Sequence, residues 1–284
     1  MKRAIAALMA AGICLMAACG EQENTEPASD RNTAQVIEYQ EPEYHFEPLA
    51  AEERIQTEDG TELSRYRCQF PSMSVRNLEE LSAEGQKTAE RAVESFNKRM
   101  EELQDRYMES GRELAASAQE MYADGTVPSG LSFYEETVAQ ASVTGQIVSV
   151  RVDYESYAGG AHPNRYTSSL LFDLGVGQFI DAAQIAEDPI AFQTGAAELL
   201  IEKAETMGKS YSAQYWEDYR DIIRTWNEGT VLFSQEGMTV VYSPYELGPY
   251  AMGPVELFLG YDELAELLGP GGLAHLGVGV EEDT

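Results

Sequence analysis

Val148-Ser149-Val150-Arg151-Val152-Asp153-Tyr154 alternates apolar and polar side chains without a break. A period of two sends the valines and Tyr154 to one side of an extended chain and Ser149, Arg151 and Asp153 to the other. The stretch predicts a strand, within Val143 to Tyr154, with one face against a core and one face wet. Upstream, Ser132 to Ala141 reads as its neighbour. Downstream, Ala158-Gly159-Gly160 breaks the pattern before a third strand, Arg165 to Leu174, and Gly175 to Gly177 supply a tight turn before Phe179. Strand, turn, strand predicts an antiparallel meander.

Two earlier extended segments are expected, Val36 to Phe46 and Glu62 to Val75, separated by an acidic loop around Glu52 to Gly60. Tyr66, Cys68 and Phe70 alternate with Arg65, Arg67 and Gln69, which puts the Cys68 thiol on the apolar side as a small hydrophobe. From Ser82 to Ala123 the apolar residues Ala89, Val93, Phe96, Met100, Leu103 and Tyr107 step by four and three, tracing one face of a long helix. The stripe suits packing on this chain's own sheet better than a dimer seam, because it blurs near Gly111 before three clean heptads are complete. Further helices are expected over Pro189 to Met207, Ala213 to Trp226 and Tyr261 to Leu268, with strands over Val231 to Phe233, Met238 to Tyr242 and Val255 to Leu259. The sum is an α+β fold, a mainly antiparallel sheet with helices packed on it.

At 284 residues with 43% hydrophobic content, the chain can bury a substantial core. Its 19 basic against 49 acidic residues, a formal charge of -30, repel a phosphate backbone, so no nucleic-acid partner is expected. Three cysteines and three histidines, at Cys14, Cys19, Cys68, His45, His162 and His275, have no zinc or iron-sulfur spacing. No Asp-x-Asp-x-Asp-Gly loop suggests calcium. Neither a metal nor a cofactor is expected.

Lys2 and Arg3 precede the uncharged run Ala4 to Ala18, which ends in Met16-Ala17-Ala18-Cys19. This is the layout of a bacterial export signal with a lipoprotein-type cleavage site, making Cys19 the lipidated first residue of the mature chain. Fifteen residues reach only about 22 Å as a helix, short of a ~30 Å hydrocarbon core, so lipid is the expected membrane link. An ordinary secreted protein is the alternative. Gly20 in place of aspartate after the cysteine points to the outer membrane of a two-membrane host, with the domain facing the periplasm or the outside. Losing Lys2 and Arg3 takes the 19 basic residues to 17 against 49 acids, or -32. The expected organisation is a signal peptide over 1–18, a polar tether over 19–35, a strand-helix region over 36–128, a C-terminal α+β domain over 129–268 and a flexible tail over 269–284.

Two local patterns stand apart from this periodicity. They are Tyr154-Glu155-Ser156-Tyr157-Ala158-Gly159-Gly160-Ala161-His162-Pro163-Asn164 and Tyr242-Ser243-Pro244-Tyr245-Glu246-Leu247-Gly248-Pro249-Tyr250-Ala251-Met252-Gly253. With the Phe172-Asp173-Leu174 strand and the helices between, they resemble the extracellular domain of RsiV-type, lysozyme-responsive anti-sigma factors. A similar domain accompanies PdaC-type polysaccharide deacetylases. The resemblance is best over about residues 130 to 268. It implies an α+β binding domain outside the cytoplasm, which in the RsiV branch recognises lysozyme. No cytoplasmic segment precedes the export signal, so a sigma-holding role is not expected of this chain alone, and no deacetylase-like metal triad is present.

The glycine pair lets the backbone turn through positive φ and Pro163 stiffens the exit, presenting His162 and Asn164 on a shaped loop. His162 suits a turn-holding hydrogen bond, ligand contact or, with no nucleophile nearby in sequence, least of all a general base. Tyr242, Tyr245 and Tyr250 offer broad rigid contact area, or pin an irregular connection to the sheet. The expected binding residues are Tyr154, Tyr157, Gly159, Gly160, His162, Asn164, Tyr242, Tyr245 and Tyr250, with no catalytic residue. The expected function is an envelope lipoprotein whose non-catalytic domain recognises a cationic protein such as lysozyme. The alternatives are a peptidoglycan or glycan module stacking sugars on Trp216, Trp226 and the loop tyrosines, and an accessory to an envelope hydrolase.

Overall fold

The computed structural model describes residues 40–126, 132–211, 214–225 and 228–279. The expected export signal, lipidation site Cys19 and tether, and Trp226, lie outside them. The described residues belong to one compact unit, with the mixed α+β architecture expected.

Six strands form the main sheet in the order β1-β2-β3-β4-β5-β6: Tyr44–Gln56, Glu62–Val75, Phe133–Thr144, Ile147–Tyr157, Asn164–Asp173 and Gln178–Ile180. Helix α1, Ala83–Ala123, is inserted between β2 and β3. Every neighbouring pair is antiparallel except β2 and β3, which run parallel with Ser64 opposite Phe133. A parallel pair needs a crossover connection, and α1 provides it. The division expected at 128/129 therefore falls inside one sheet.

The α1 stripe packs on this sheet. Ala92, Phe96, Met100 and Leu103 are buried against Cys68, Phe70, Val148, Val150, Val152 and Phe172, and Ala89 is buried too. Phe96 meets Phe46 and Phe172 edge-on, at 5.5 and 5.4 Å between ring centroids. Ser82 caps the helix by accepting a hydrogen bond from the Gly85 N–H at 3.0 Å. Burial pushes the Cys68 thiol up to about 11, so it is an inert core side chain.

The other face of β4 and β5 carries a second layer. Strands β7, β8 and β9 (Val231–Phe233, Gly237–Tyr242 and Val255–Gly260) form a small antiparallel sheet. Helices α2 (Pro189–Tyr211), α3 (Tyr219–Arg224) and α4 (Tyr261–His275) complete the set. The core on this side includes Ile147, Leu171, Phe192, Leu200, Phe233, Leu257, Leu264 and Leu268.

Four expectations about individual elements are corrected. The residues Glu52 to Gln56 continue β1 instead of forming a loop, because Glu52 pairs with Arg54, and Glu53 with Arg112 and the Tyr66 hydroxyl. Ser149 is not on a wet face: it is 1% exposed, its Oγ donating to the Phe233 carbonyl at 3.2 Å and accepting from the Phe233 N–H at 2.9 Å. Helix α3 is much shorter than the stretch from Ala213 to Trp226, since Trp216 is drawn away to bond the Leu247 carbonyl through its backbone N–H.

The fourth concerns the C-terminus. Gly269 breaks the helix with φ +69°, but α4 resumes at Pro270, and Glu187 Oε1 accepts from the Gly271 N–H at 3.0 Å at the start of that turn. Leu276 is 1% exposed, the His275 carbonyl accepts from Gln146 N–H at 2.8 Å, and His275 Nε2 meets Asp173 Oδ2 at 2.9 Å. The chain after Gly269 is thus core, through Leu276, and not a flexible tail.

Candidate functional site

The β4–β5 turn is made as its sequence requires. Gly159 and Gly160 take φ of +87° and +111°, which a side chain would strain, and the Tyr157 hydroxyl donates to the Gly160 carbonyl at 3.0 Å. His162 Nδ1 lies 2.9 Å from the Pro163 carbonyl. A carbonyl only accepts, so Nδ1 carries the proton, and in the neutral ring Nε2 is the acceptor. Its partner comes from the other loop: the Tyr245 hydroxyl lies 3.1 Å from Nε2.

Tyr250, from the same loop, stacks on the imidazole with ring centroids 3.7 Å apart and planes 13° from parallel. Tyr245 and Tyr250 are themselves 5.5 Å apart. The β4–β5 turn and the β8–β9 loop, 83 residues apart at His162 and Tyr245, therefore meet in one aromatic platform. His162 uses both nitrogens, Nδ1 within its own turn and Nε2 across to the other loop, and neither partner is a serine or cysteine nucleophile.

Tyr245 is the only non-glycine with positive φ among the described residues, at +76°, and the residue is 55% exposed. A bulky residue in that region costs about 1–2 kcal/mol, so the surrounding loop must fix it. Trp216 Nε1 donates to the Tyr245 carbonyl at 3.1 Å, Glu246 N–H donates to the Ser243 carbonyl at 3.0 Å, and the Glu246 carboxylate accepts from Ser243 N–H. Burial pushes the Glu246 carboxyl up, against that backbone hydrogen bond. Trp216, half outside the fold, joins the platform from the α2–α3 connection.

Beside the platform lies a groove of about 390 Å³, on the open face of β3, β4 and β5. Prolines Pro244 and Pro254 of the β8–β9 loop form one wall, and Glu136, Val138, Arg151, Asp153, Glu155, Arg165 and Thr167 are among its other lining residues. The alternation in β4 that fixes the core face also aims Arg151, Asp153 and Glu155 at this groove. Arg165 Nε meets Glu155 at 2.7 Å, and the Tyr134 hydroxyl donates to the same carboxylate. Burial, then Glu155, pushes the Tyr134 hydroxyl up to about 12.

Of the residues expected to bind, His162, Tyr245 and Tyr250 come together, with Tyr157, Gly159 and Gly160 shaping the turn and Asn164 exposed at the start of β5. Two do not belong to the platform. Tyr242 is 4% exposed in β8, inside the core. Tyr154 points to the α1 side, stacked on Tyr166 at 4.5 Å and beside Tyr107 at 5.8 Å. Strand parity in β4 already placed Tyr154 with the valines; its membership of a conspicuous motif obscured that. Arg151, Asp153, Glu155, Arg165 and Tyr134 were missed, although the same parity puts the first three on one face.

Among the described residues, no group of three or more histidine, cysteine, aspartate or glutamate side chains could hold a metal ion. No described helix is long and apolar enough to cross a membrane.

A search of the curated proteins finds no match. A crystallised DUF3298 family member from Pseudomonas aeruginosa aligns with 81% of this chain and 96% of its own, at 16% identity and a TM-score of 0.48. One from Bacteroides fragilis aligns with 83% of this chain and 97% of its own, at 18% identity and a TM-score of 0.63. Residues 184–262, from just before α2 to the start of α4, match the family described as "Protein of unknown function (DUF3298)". The chain thus shares its fold with the Bacteroides fragilis protein and, over 184–262, the sequence pattern of a family whose description assigns no activity.

Proposed function

We propose that this chain is an exported, lipid-anchored binding domain of the cell envelope, akin to the RsiV-type ectodomain, that captures a small cationic protein of the lysozyme kind without transforming it. The observation that carries the reading is the meeting of the two motif loops, with Tyr245 and Tyr250 gathered on His162 in an exposed aromatic platform. Rigid tyrosines with a polar tip and an apolar body supply contact area at low entropic cost. Tyr245 is held at positive φ with hydrogen bonds from Trp216 and between Ser243 and Glu246 fixing the loop around it, an arrangement that suits a preorganised contact residue.

The second support is charge. A formal -30 on the whole chain complements a strongly basic partner, and such fields raise encounter rates by about ten- to a thousandfold while acting over a Debye length of ~8 Å at physiological salt. Charge therefore brings the partner close, and the platform selects it.

Titration of the purified protein with lysozyme, at low and at moderate salt, tests the reading. Binding that weakens with salt is expected, together with about tenfold weaker binding for Tyr245→Ala, the loss typical of an interface anchor. Absence of binding and of lysozyme inhibition at both salt levels rules the partner out. Labelling with radioactive palmitate, abolished by Cys19→Ser, tests the anchor separately.

A further inference from the structure

The small sheet covers the outer face of β4 as far as Arg151, whose Nη1 reaches Glu256 of β9 at 2.8 Å. Past that point the face opens into the groove. Its charged groups are not free charges. Arg151 Nε lies 3.0 and 2.9 Å from the two oxygens of Asp153, and Thr167 Oγ1 donates to Asp153 Oδ1 at 2.7 Å. Arg165 Nε is held by one oxygen of Glu155, at 2.7 Å, and the other oxygen accepts from the Tyr134 hydroxyl. The planar groups are locked by one another before any ligand arrives, which lowers the entropy a ligand must overcome.

Hydrogen-bond capacity nevertheless remains. A guanidinium carries five N–H donors and a carboxylate about four acceptor sites. The bonds just described use only part of each, so spare donors and spare acceptors lie side by side. An anion entering the groove meets Glu136, Asp153 and Glu155. A cation must displace a guanidinium from its carboxylate. A neutral group that both donates and accepts fits without breaking any existing pair, as a hydroxyl or an acetamido group does. Val138, Pro244 and Pro254 add an apolar wall for the methyl of an acetamido group or the C–H face of a sugar ring.

A neutral peptide also donates and accepts, but it is disfavoured here. Strands β3 and β4 are paired on both sides along the groove, and on the outer edge of β5, which β6 covers only from Leu171 to Asp173, the Thr167 N–H is already taken by Ser243 Oγ at 3.0 Å, so a peptide finds no continuous strand edge to join by main-chain hydrogen bonds. Recognition must run through side chains alone, which suits a sugar chain.

We infer that the groove binds a neutral oligosaccharide of N-acetylated sugars, its acetamido and hydroxyl groups bridging the Arg151–Asp153–Thr167 and Arg165–Glu155 networks. This goes beyond the capture of a cationic protein on the platform, and the two separate by salt: protein capture weakens as salt rises, whereas binding of a neutral sugar is nearly indifferent to it.

Calorimetric titration of the purified full chain with the tetramer of N-acetylglucosamine tests the inference, beside its fully deacetylated, cationic counterpart and a blocked tetra-alanine peptide. The acetylated tetramer should bind with an affinity that salt changes by less than about twofold, and the other two at least about tenfold more weakly. Thr167→Val keeps the side-chain shape but frees Asp153 of one fixed donor, and Arg165→Met removes a surface guanidinium; each should weaken sugar binding about tenfold. Unchanged thermal unfolding would show that the variants fold. No binding of the acetylated tetramer, tighter binding of the deacetylated one or of the peptide, or full affinity in both folded variants would overturn the inference, whatever the outcome with lysozyme.

Discussion

Glu135 shows how a single residue can set a pH response far from the platform. It lies on the α1 side of β3, 4% exposed, with Oε2 accepting from Ser110 Oγ at 3.1 Å and Oε1 without a hydrogen-bond partner among the described residues. Burial pushes its carboxyl up from the ordinary range, with the nearby Glu113 acting in the same sense. Because the native carboxyl then holds its proton to higher pH than the unfolded one, the native state binds more protons between those two pKa values. Stability from this group is full below the unfolded pKa and is lost as pH rises through the folded one. Glu135→Gln should therefore unfold at a higher temperature than the parent at neutral pH and at nearly the same temperature near pH 4, the ordinary glutamate range. Thermal melts across that window would check it; equal shifts at both ends would show that the carboxyl is not the cause. The residue was invisible in the sequence, where Glu135-Glu136 reads as a solvated pair. Strand parity separates them, since Glu136 faces Arg67 on the outer side and Glu135 faces the helix. Tyr245 was legible as a loop tyrosine, but its positive φ was not, because no glycine or asparagine marks the position.

At the scale of elements, periodicity was a reliable guide wherever an element meets solvent on one side and core on the other. That is why α1, β2 and β4 could be read closely from their stripes and alternations. It failed where a polar residue is consumed by another element. Ser149 reads as wet and is dry because β7 docks on it through both the N–H and the carbonyl of Phe233. Ser149→Ala leaves that buried N–H without its acceptor and should cost about 1–3 kcal/mol, seen as a lower denaturant midpoint with an unchanged slope. A change below about 0.5 kcal/mol would mean that β7 is held by its apolar contacts alone. The same limit explains the C-terminal segment. Gly269-Pro270-Gly271-Gly272 has the composition of a frayed end, yet Glu187, 84 residues from Gly271, caps it. Nothing local in the sequence signals a cap supplied from such a distance.

For the whole molecule, composition spoke most clearly about charge and least about the groove. Most of the ion pairs are exposed, such as Arg54–Glu52, Arg112–Glu109 and Arg224–Asp221, and pairs of that kind contribute little each. A formal charge of -30 sets a larger opposing term, because like charges repel in the compact state. The melting temperature should accordingly rise as sodium chloride is added over the range in which the Debye length falls from about 30 to 8 Å. A fall over that range would show that the pairs outweigh the repulsion. The site itself was half legible: the two motifs predicted the loops that meet, whereas the groove is assembled from strand residues whose patterning looks like that of any sheet surface.

The parallel pairing of β2 with β3 has a kinetic side. Arg67 and Glu136 face each other across 69 residues of chain, so the sheet cannot grow outward from one hairpin to the next. The β1–β2 hairpin must wait, its inner edge vacant, until α1 has formed and swung β3 into register. A polypeptide released vectorially, N-terminus first, would pass through that interval with a sticky seam open.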